Sequence, residues 1–161
     1  MRDGRLAAFG APGIVTLVAL VGRFHGLGEK PFWLDEILTV NRARLPFREL
    51  ILDSLHNLHF PTYFLLVSPF SEAVGTEWAV RAPSAVFGAL VAGMACVIGQ
   101  ALKDAKIGLC AGLLTALSPF QVQFSQEARS YTRVALLILL ALWVVVQIAK
   151  ATDQPGDESR Q

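Results

Sequence analysis

The amino-acid sequence predicts an all-α, polytopic transmembrane protein. Of its 161 residues, 53% are hydrophobic and only 17% are charged, and the mean hydropathy is +0.49. This composition is more apolar than that of ordinary soluble domains. The apolar residues are concentrated in four long uncharged runs, each close to the roughly 20 residues that cross a bilayer as a helix. A chain of this length has room for only a few such spans.

Charge and cysteine content exclude several other classes of protein. The 14 Lys and Arg residues nearly balance the 13 Asp and Glu residues, for a net charge of +1, so composition gives no support to nucleic-acid binding. The two cysteines, Cys96 and Cys110, lie in apolar runs without the spacing of a disulfide framework or a zinc module. We predict that both are small buried apolar residues.

The first predicted span covers about residues 6–27. Its uncharged part runs from Leu6 to Gly22 between Arg5 and Arg23, which is slightly short but can be extended by snorkelling of the arginines. A cleaved signal peptide is the alternative, since MRDGR resembles a basic n-region. No small-x-small cleavage site follows it, however.

Three further spans are predicted at about residues 78–102, 107–125 and 131–150. Only the loop Lys103 to Lys106 separates the second from the third, which predicts a tight hairpin of antiparallel helices. Residues 1–150 thus form one transmembrane module. The last residues, 151–161, have the composition of a disordered polar tail and are expected in the cytoplasm.

Orientation follows from the basic residues, which prefer the cytoplasmic side of a membrane. Those that flank the predicted spans are Arg2, Arg5, Lys103, Lys106 and Lys150. Four spans place all of them inside, with a cytoplasmic N-terminus, provided that the segment from Leu58 to Val74 does not cross the bilayer. We therefore predict that residues 28–77 form an outer loop with juxtamembrane helices in 35–57 and 58–74, the first containing a helical start near Pro46.

With that topology, several charged residues gather at the outer ends of the spans. They are Asp35, Glu36, Arg81, Glu127, Arg129 and Arg133. Ionisable groups at membrane depth are costly unless they are paired or solvated in a cavity, so a cluster of mixed sign is a candidate functional site. The alternative is that these residues only snorkel to water at helix ends.

The adjacent carboxylates of Asp35 and Glu36 cannot face the same way on a helix. We expect one to act as a general base and the other to face a cation or a backbone amide. A structural alternative makes Asp35 the N-cap of the following helix.

A second group of polar residues, Asp53, His56 and His59, repeats at intervals of three residues. On a helix they would share one side as possible metal ligands. A solvated loop end is the alternative interpretation.

Four sequence blocks resemble those of a known family. In chain order they are FWLDE at Phe32 to Glu36, HFPTYFLL at His59 to Leu66, RAPSAVFG at Arg81 to Gly88, and Ser118-Pro119-Phe120 followed by SQEARSY at Ser125 to Tyr131. Together they resemble the successive blocks of bacterial glycosyltransferase family 39, which is similar to protein mannosyltransferases and lipid A aminoarabinose transferases of the GT-C fold. The resemblance covers most of the chain.

The resemblance implies an enzyme of the inner membrane that transfers a sugar from a polyprenyl-phosphate donor, with inversion, to a lipid, glycan or protein hydroxyl on the outer, periplasmic face. It assigns catalysis to Asp35, with Glu36 beside it. It also brings Glu127, as a further catalytic candidate, and Arg81 and Arg129, as substrate-binding residues, to the same site, and it retains His59 and Tyr63 for substrate binding. Arginines can stabilise the leaving phosphate. Alternatively, Glu36 and Glu127 could hold a divalent cation; no cofactor is fixed by the sequence.

The sequence departs from the family in two respects. The family's usual His-Pro-Pro appears as His59-Phe60-Pro61. Members typically have about a dozen spans, so this chain matches the N-terminal third and is expected to be a fragment, or one half of a split enzyme, with little transfer by itself. A noncatalytic membrane module that binds a polyprenyl lipid or a partner subunit is the alternative. A transport subunit is disfavoured because the centres of the predicted spans carry no charge.

Overall fold

The computed structural model describes residues 3–72 and 76–152, and within these ranges every regular element is a helix. The α-helices are α1 (Asp3–Phe24), α2 (Leu34–Ala43), α3 (Phe47–His56), α4 (Thr62–Val67), α5 (Thr76–Leu102), α6 (Ala105–Leu117), α7 (Pro119–Ser125) and α8 (Tyr131–Thr152). A 3₁₀ helix, Ser68–Phe70, follows α4. The predicted all-α class is therefore confirmed.

Two helices are long and apolar enough to cross a membrane, namely Glu77–Leu102 within α5 and Tyr131–Thr152. A third span results if α6 and α7 are counted together, although they meet at an angle of 59°. The apolar part of α1, Gly10–Phe24, is shorter. Helices thus lie at all four predicted spans, and two or three of them have the length and composition to span a bilayer.

The predicted span over residues 107–125 is not one continuous helix, because α6 ends before Ser118 and α7 begins at Pro119. Pro119 has no N–H group and restricts the preceding residue to extended conformations. Ser118 has φ −61° and ψ 120°, and its hydroxyl accepts a hydrogen bond from the Gln121 amide in the first turn of α7. Ser118 thus ends α6 and begins α7.

Arg23, which lies on the neighbouring helix α1, stabilises the bend between α6 and α7. The sequence placed it only at the edge of the first span, but it is fully buried. Its guanidinium donates to the carbonyl oxygens of Thr115 and Ala116 at 3.3 and 3.1 Å and to the Ser125 hydroxyl at 3.0 Å. A cation at the C-terminus of a helix satisfies carbonyls that have no partner within the helix. Arg23 therefore joins α1 to both halves of the bent pair.

Helix α5 is the centre of the bundle and packs against α1, α6 and α8. Its contact with α6 depends on small residues: a Cβ atom at Gly108 would lie 2.6 Å from the Cys96 carbonyl oxygen. Small residues allow helices in membranes to approach closely. Cys96 is buried in this interface as expected, whereas Cys110 is exposed on α6, so the prediction of two buried cysteines is wrong for Cys110.

The segment predicted as the outer loop forms short helices, and the predicted helical start near Pro46 is confirmed, since α3 begins at Phe47. Pro46, which lacks an N–H group, separates α2 from α3 within the predicted helical region 35–57. The apolar faces of α2, α3 and α4 pack together with the start of α5 in a second core that includes Val40, Leu50, Phe64 and Val80. Residues 73 and 74 of the second predicted region lie outside the described residues, as do residues 153–161 of the predicted tail.

Candidate functional site

The charged residues singled out by the sequence do meet at one end of the helical bundle. This end is formed by the C-terminus of α1, the N-termini of α2, α5 and α8, and the loop after α7. Direct contacts join these elements, including those from Arg81 to the Leu27 carbonyl and from Ser84 to the Arg129 carbonyl. The prediction that residues distant in sequence share one end is confirmed.

Glu36 and Arg81 form a buried ion pair at the centre of this end. Arg81 Nη2 lies 2.6 Å from Glu36 Oε2, and Nε lies 2.8 Å from Oε1. The Glu36 side chain is 1% exposed and that of Arg81 is 5% exposed. A two-point contact of this kind fixes the orientation of both groups.

All five N–H groups of Arg81 are used inside the protein. Besides its two bonds to Glu36, the guanidinium donates to the carbonyl oxygens of Leu27, Lys30 and Pro31, at 3.1, 2.8 and 3.2 Å. These carbonyls belong to the connection between α1 and α2. Arg81 could therefore bind a phosphate only by giving up one of these hydrogen bonds.

Glu36 connects a third element to the pair. Its Oε1 accepts a hydrogen bond from the Ala128 amide at 2.8 Å, and its Oε2 accepts a longer one from the Trp33 amide at 3.4 Å. One of the two adjacent carboxylates was expected to face a cation or a backbone amide, and Glu36 faces both. It holds Glu127 and Arg129, the neighbours of Ala128, beside α2.

Asp35 points to a different partner. Its Oδ2 lies 3.2 Å from Arg129 Nη2, and the two side chains are 34% and 24% exposed. The N-cap of α2 is Trp33, and Asp35 lies within the first turn, so the N-cap interpretation of Asp35 is wrong. Unlike Glu36, Asp35 remains open to solvent and to ligands.

A cavity of about 750 Å³ lies between the α1–α2 connection and α7. The polar side chains on its wall are Lys30, Trp33, Glu36, Arg81, Gln123, Gln126 and Glu127. Asp35 is not among the lining residues, so of the predicted charged cluster this cavity includes only Glu36, Arg81 and Glu127. Partial burial raises the pKa of Glu127 above its ordinary value, and the Glu36 carboxylate raises it further. Perturbed carboxyl groups of this kind are typical of functional sites.

A smaller cavity of about 220 Å³ lies between Thr39 of α2, the residues around the start of α4 and the start of α8. His59, Tyr63 and Arg129, which the family resemblance assigned to binding, all line it, together with Arg133. Tyr63 shares a hydrogen bond of 2.7 Å with the Ser84 hydroxyl, and burial raises its pKa to about 12. Tyr63 is therefore a neutral hydrogen-bonding group at physiological pH.

The proposed metal ligands are not brought together. Asp53 pairs with Arg42 at 2.9 Å and accepts a hydrogen bond from Asn57, while His59 lies at the smaller cavity. No three His, Cys, Asp or Glu side chains form a candidate metal site in residues 3–72 and 76–152.

Sequence reasoning missed the roles of two further residues. Ser84 hydrogen-bonds Tyr63 and the Arg129 carbonyl, and Arg23 holds Ser125 next to the same loop. Ser84 lies inside the RAPSAVFG block, so its presence there was a usable signal. Arg23 carried no signal, because its partners are more than 90 residues away in the chain.

Comparisons with protein-family models, with curated proteins and with solved structures found no match for this chain. The resemblance to glycosyltransferase family 39 stays a prediction that rests on the four sequence blocks.

Proposed function

We propose that this chain is a membrane glycosyltransferase, or the N-terminal part of one, that transfers a sugar from a polyprenyl-phosphate donor to a hydroxyl acceptor at the outer face of the membrane. The observation that carries this proposal is the Asp35–Arg129 ion pair, whose arginine lines the smaller cavity. It places an accessible base and an accessible cation within 3.2 Å of each other. A transfer of this kind needs a base for the acceptor hydroxyl and a cation for the leaving phosphate in the same site.

In the proposed reaction the acceptor hydroxyl oxygen attacks the anomeric carbon of the donor sugar. Asp35 takes the hydroxyl proton, the bond between the anomeric carbon and the phosphate oxygen breaks, and the polyprenyl phosphate leaves with the electron pair. General-base assistance of this type contributes roughly 10²- to 10⁴-fold in rate. Attack from the face opposite the leaving group inverts the anomeric configuration.

The remaining residues of the site have supporting roles in this proposal. Arg129 stabilises the charge that develops on the leaving phosphate. Glu127 hydrogen-bonds the sugar in the larger cavity, which has room for it. Glu36 and Arg81 are positioning residues, because their polar atoms bind each other and the backbone rather than the cavity contents.

A divalent cation fits the glutamates poorly. Both oxygens of Glu36 already accept hydrogen bonds from Arg81, which leaves Glu127 as a single carboxylate on the cavity wall. Divalent cations usually need several oxygen ligands. The proposed mechanism therefore uses arginine to neutralise the phosphate.

The deciding experiment compares Asp35→Asn with Asp53→Asn. Asp53 is a matched control, since it also pairs with an arginine and its side chain is also 34% exposed, but its partner Arg42 lines neither cavity, whereas Arg129, the partner of Asp35, lines the smaller one. The assay is transfer of labelled sugar from a polyprenyl-phosphate donor by the chain, alone and joined to candidate C-terminal partners, in membranes with equal protein levels. We expect Asp35→Asn to lower turnover at least 100-fold and Asp53→Asn to leave it unchanged.

A noncatalytic module is the second candidate, and the exposure of α8 favours it. Only 6% of its apolar window is buried within the chain, so most of this helix is free for lipid or for a partner helix. If the chain binds the donor lipid but transfers no sugar with any partner, the module assignment replaces the enzyme. Equal loss of transfer in both aspartate variants would contradict a specific role for Asp35.

A further inference from the structure

We propose that the smaller cavity is a phosphate-binding pocket whose principal cation is Arg133, a residue that neither the sequence blocks nor the mechanism above uses. The identification of this phosphate as that of the sugar donor rests on the proposed function. The binding of phosphate itself does not.

The charge of the pocket favours an anion. Two arginines, Arg129 and Arg133, line it, and no carboxylate does. Arg129 is paired with Asp35 at its outer side, whereas Arg133 forms no ion pair with the residues that the structure describes. The pocket therefore carries uncompensated positive charge.

Arg133 has donors to spare. Its Nη1 donates to the Thr62 hydroxyl at 2.6 Å, and its guanidinium lies 5.7 Å from the centre of the Tyr63 ring. Its Nε is buried and has no hydrogen-bond partner in the part of the chain that the structure describes. Buried polar atoms are normally satisfied, so an arginine that lines a pocket with an unpartnered Nε and only one hydrogen bond has donors left for an acceptor. Arg81, by contrast, has no N–H group left.

The size of the pocket limits what it can hold. Its 220 Å³ equals the share of about seven water molecules in the liquid, at roughly 30 Å³ each. A phosphate with the first carbons of its ester fits this space, whereas a sugar with its phosphate and a lipid chain does not. The sugar would then lie outside this pocket.

The rim of the pocket is apolar and suits an ester chain. Leu58 and Phe60 are 94% and 83% exposed, and Val134 lies opposite them at the start of α8. Leu58 has a φ of 55°, a left-handed conformation that is uncommon for leucine. The backbone thus holds an exposed leucine at the entrance of a cationic pocket, which points to the phosphate head of a lipid.

The test measures binding without turnover. The purified chain in phosphatidylcholine nanodiscs is titrated by calorimetry with hexyl phosphate, with inorganic phosphate and with hexanol as the uncharged analogue. We expect hexyl phosphate to bind and hexanol to bind at least ten times more weakly. Tighter binding of hexyl phosphate than of inorganic phosphate identifies a lipid phosphate as the ligand, and equal binding identifies a free phosphate.

Variants assign the binding to Arg133. We expect Arg133→Gln to weaken hexyl phosphate at least tenfold and Arg133→Lys to weaken it less, because lysine keeps the charge but not the planar donor pair. Arg42→Gln removes the same charge from a pair outside the pocket and is expected to bind like the unchanged chain. Thermal unfolding of each variant checks that it is folded.

Unchanged binding by folded Arg133→Gln overturns the pocket, as does equal binding of hexanol and hexyl phosphate. These outcomes are independent of the proposed function. Loss of transfer in Asp35→Asn together with full phosphate binding in Arg133→Gln would remove this pocket and leave the enzyme assignment intact. Phosphate binding that depends on Arg133 in a chain without transfer activity would support this pocket and remove the enzyme assignment.

Discussion

Three arginines at one end of this molecule differ in how many of their N–H groups the protein itself consumes. Arg81 uses all five, Arg23 donates four hydrogen bonds, and Arg133 donates one. A guanidinium saturated by carbonyls and a carboxylate is part of the framework. A guanidinium with free donors on a cavity wall can bind a ligand. The number of hydrogen bonds that each arginine makes therefore distinguishes roles that the charge pattern of the sequence does not.

Glu127 provides a prediction at the residue scale. Its pKa is raised, so the folded state disfavours its charged form, and this cost is present at neutral pH and disappears as the pH falls below the ordinary value for glutamate, about 4.3. We expect Glu127→Gln to raise the thermal midpoint at pH 7 by about 2 °C, since solvent screens a partly exposed group. The gain should vanish at about pH 4.

The measurement for Glu127 is thermal unfolding of the purified chain across this pH range. Glu49→Gln is the matched control, because Glu49 is exposed in the first turn of α3, where a negative charge favours the helix. Its replacement should give no stabilisation. A Glu127→Gln gain that grows as the pH is lowered would contradict the stated cause of the raised pKa.

At the scale of elements, the α5–α6 hairpin and the α6–α7 bend hold the site together. Asp104 begins α6 by accepting hydrogen bonds from the amides of Lys106 and Ile107, both at 2.9 Å. Small residues then bring α6 against α5, and Arg23 ties the last carbonyls of α6 to α1. The loop after α7, which carries Glu127 and Arg129, is thereby held beside α2.

Gly108→Ala tests the close approach of α5 and α6. The added methyl would lie 2.6 Å from the Cys96 carbonyl oxygen and 2.7 Å from the Gln100 amide nitrogen, which are backbone atoms that cannot move aside alone. We expect a loss of about 1–3 kcal/mol, as for other overpacked interfaces. Thermal unfolding in a mild detergent measures it.

The control for this prediction is Gly13→Ala in α1, where a Cβ meets nothing within 4 Å. Alanine is the better helix former, so this variant should unfold no earlier than the unchanged chain. Equal destabilisation by the two changes would show that helix conformation, rather than the distance between α5 and α6, controls stability.

The two ends of the helical bundle carry different kinds of charged residues. The hairpin residues Lys103 and Lys106 lie at the opposite end of α5 from Arg81, and Lys150 lies at the opposite end of α8 from Arg133. Under the positive-inside rule, the end with the three lysines faces the cytoplasm, and the end with the clustered acidic and basic residues faces outward. The orientation stays a prediction that labelling can test.

Labelling of single cysteines in sealed cells tests the orientation. In a chain carrying Cys96→Ala and Cys110→Ala, a membrane-impermeant maleimide should label Asn41→Cys from outside, and Lys103→Cys only after the membrane is opened. Both residues are exposed, whereas Thr39 on the same helix as Asn41 is 1% exposed and unsuitable. Labelling of both positions from outside would contradict the orientation.

Local sequence signals were sufficient for much of the fold. Unbroken hydropathy predicted α5 and α8 to within about two residues at each end, since long apolar helices depend little on their neighbours. The Ser118-Pro119 pair is typical of a helix break, because proline disfavours a helical conformation at the residue before it. The apolar residues around the pair nevertheless favoured one continuous span. The charged residues at the ends of the predicted spans correctly indicated that they lie together at one end of the bundle.

The sequence by itself determined the helical class, the positions of the long helices and the gathering of charge at one end. Hydropathy depends only on neighbouring residues, and the direction of each span follows from counting the spans before it. Only the tertiary structure decided that Arg23 is buried, that Cys110 is exposed, and that Glu36 rather than Asp35 is enclosed by Arg81 and Ala128. These outcomes depend on partners up to about 100 residues away, and a pattern along the chain does not record which donor meets which acceptor.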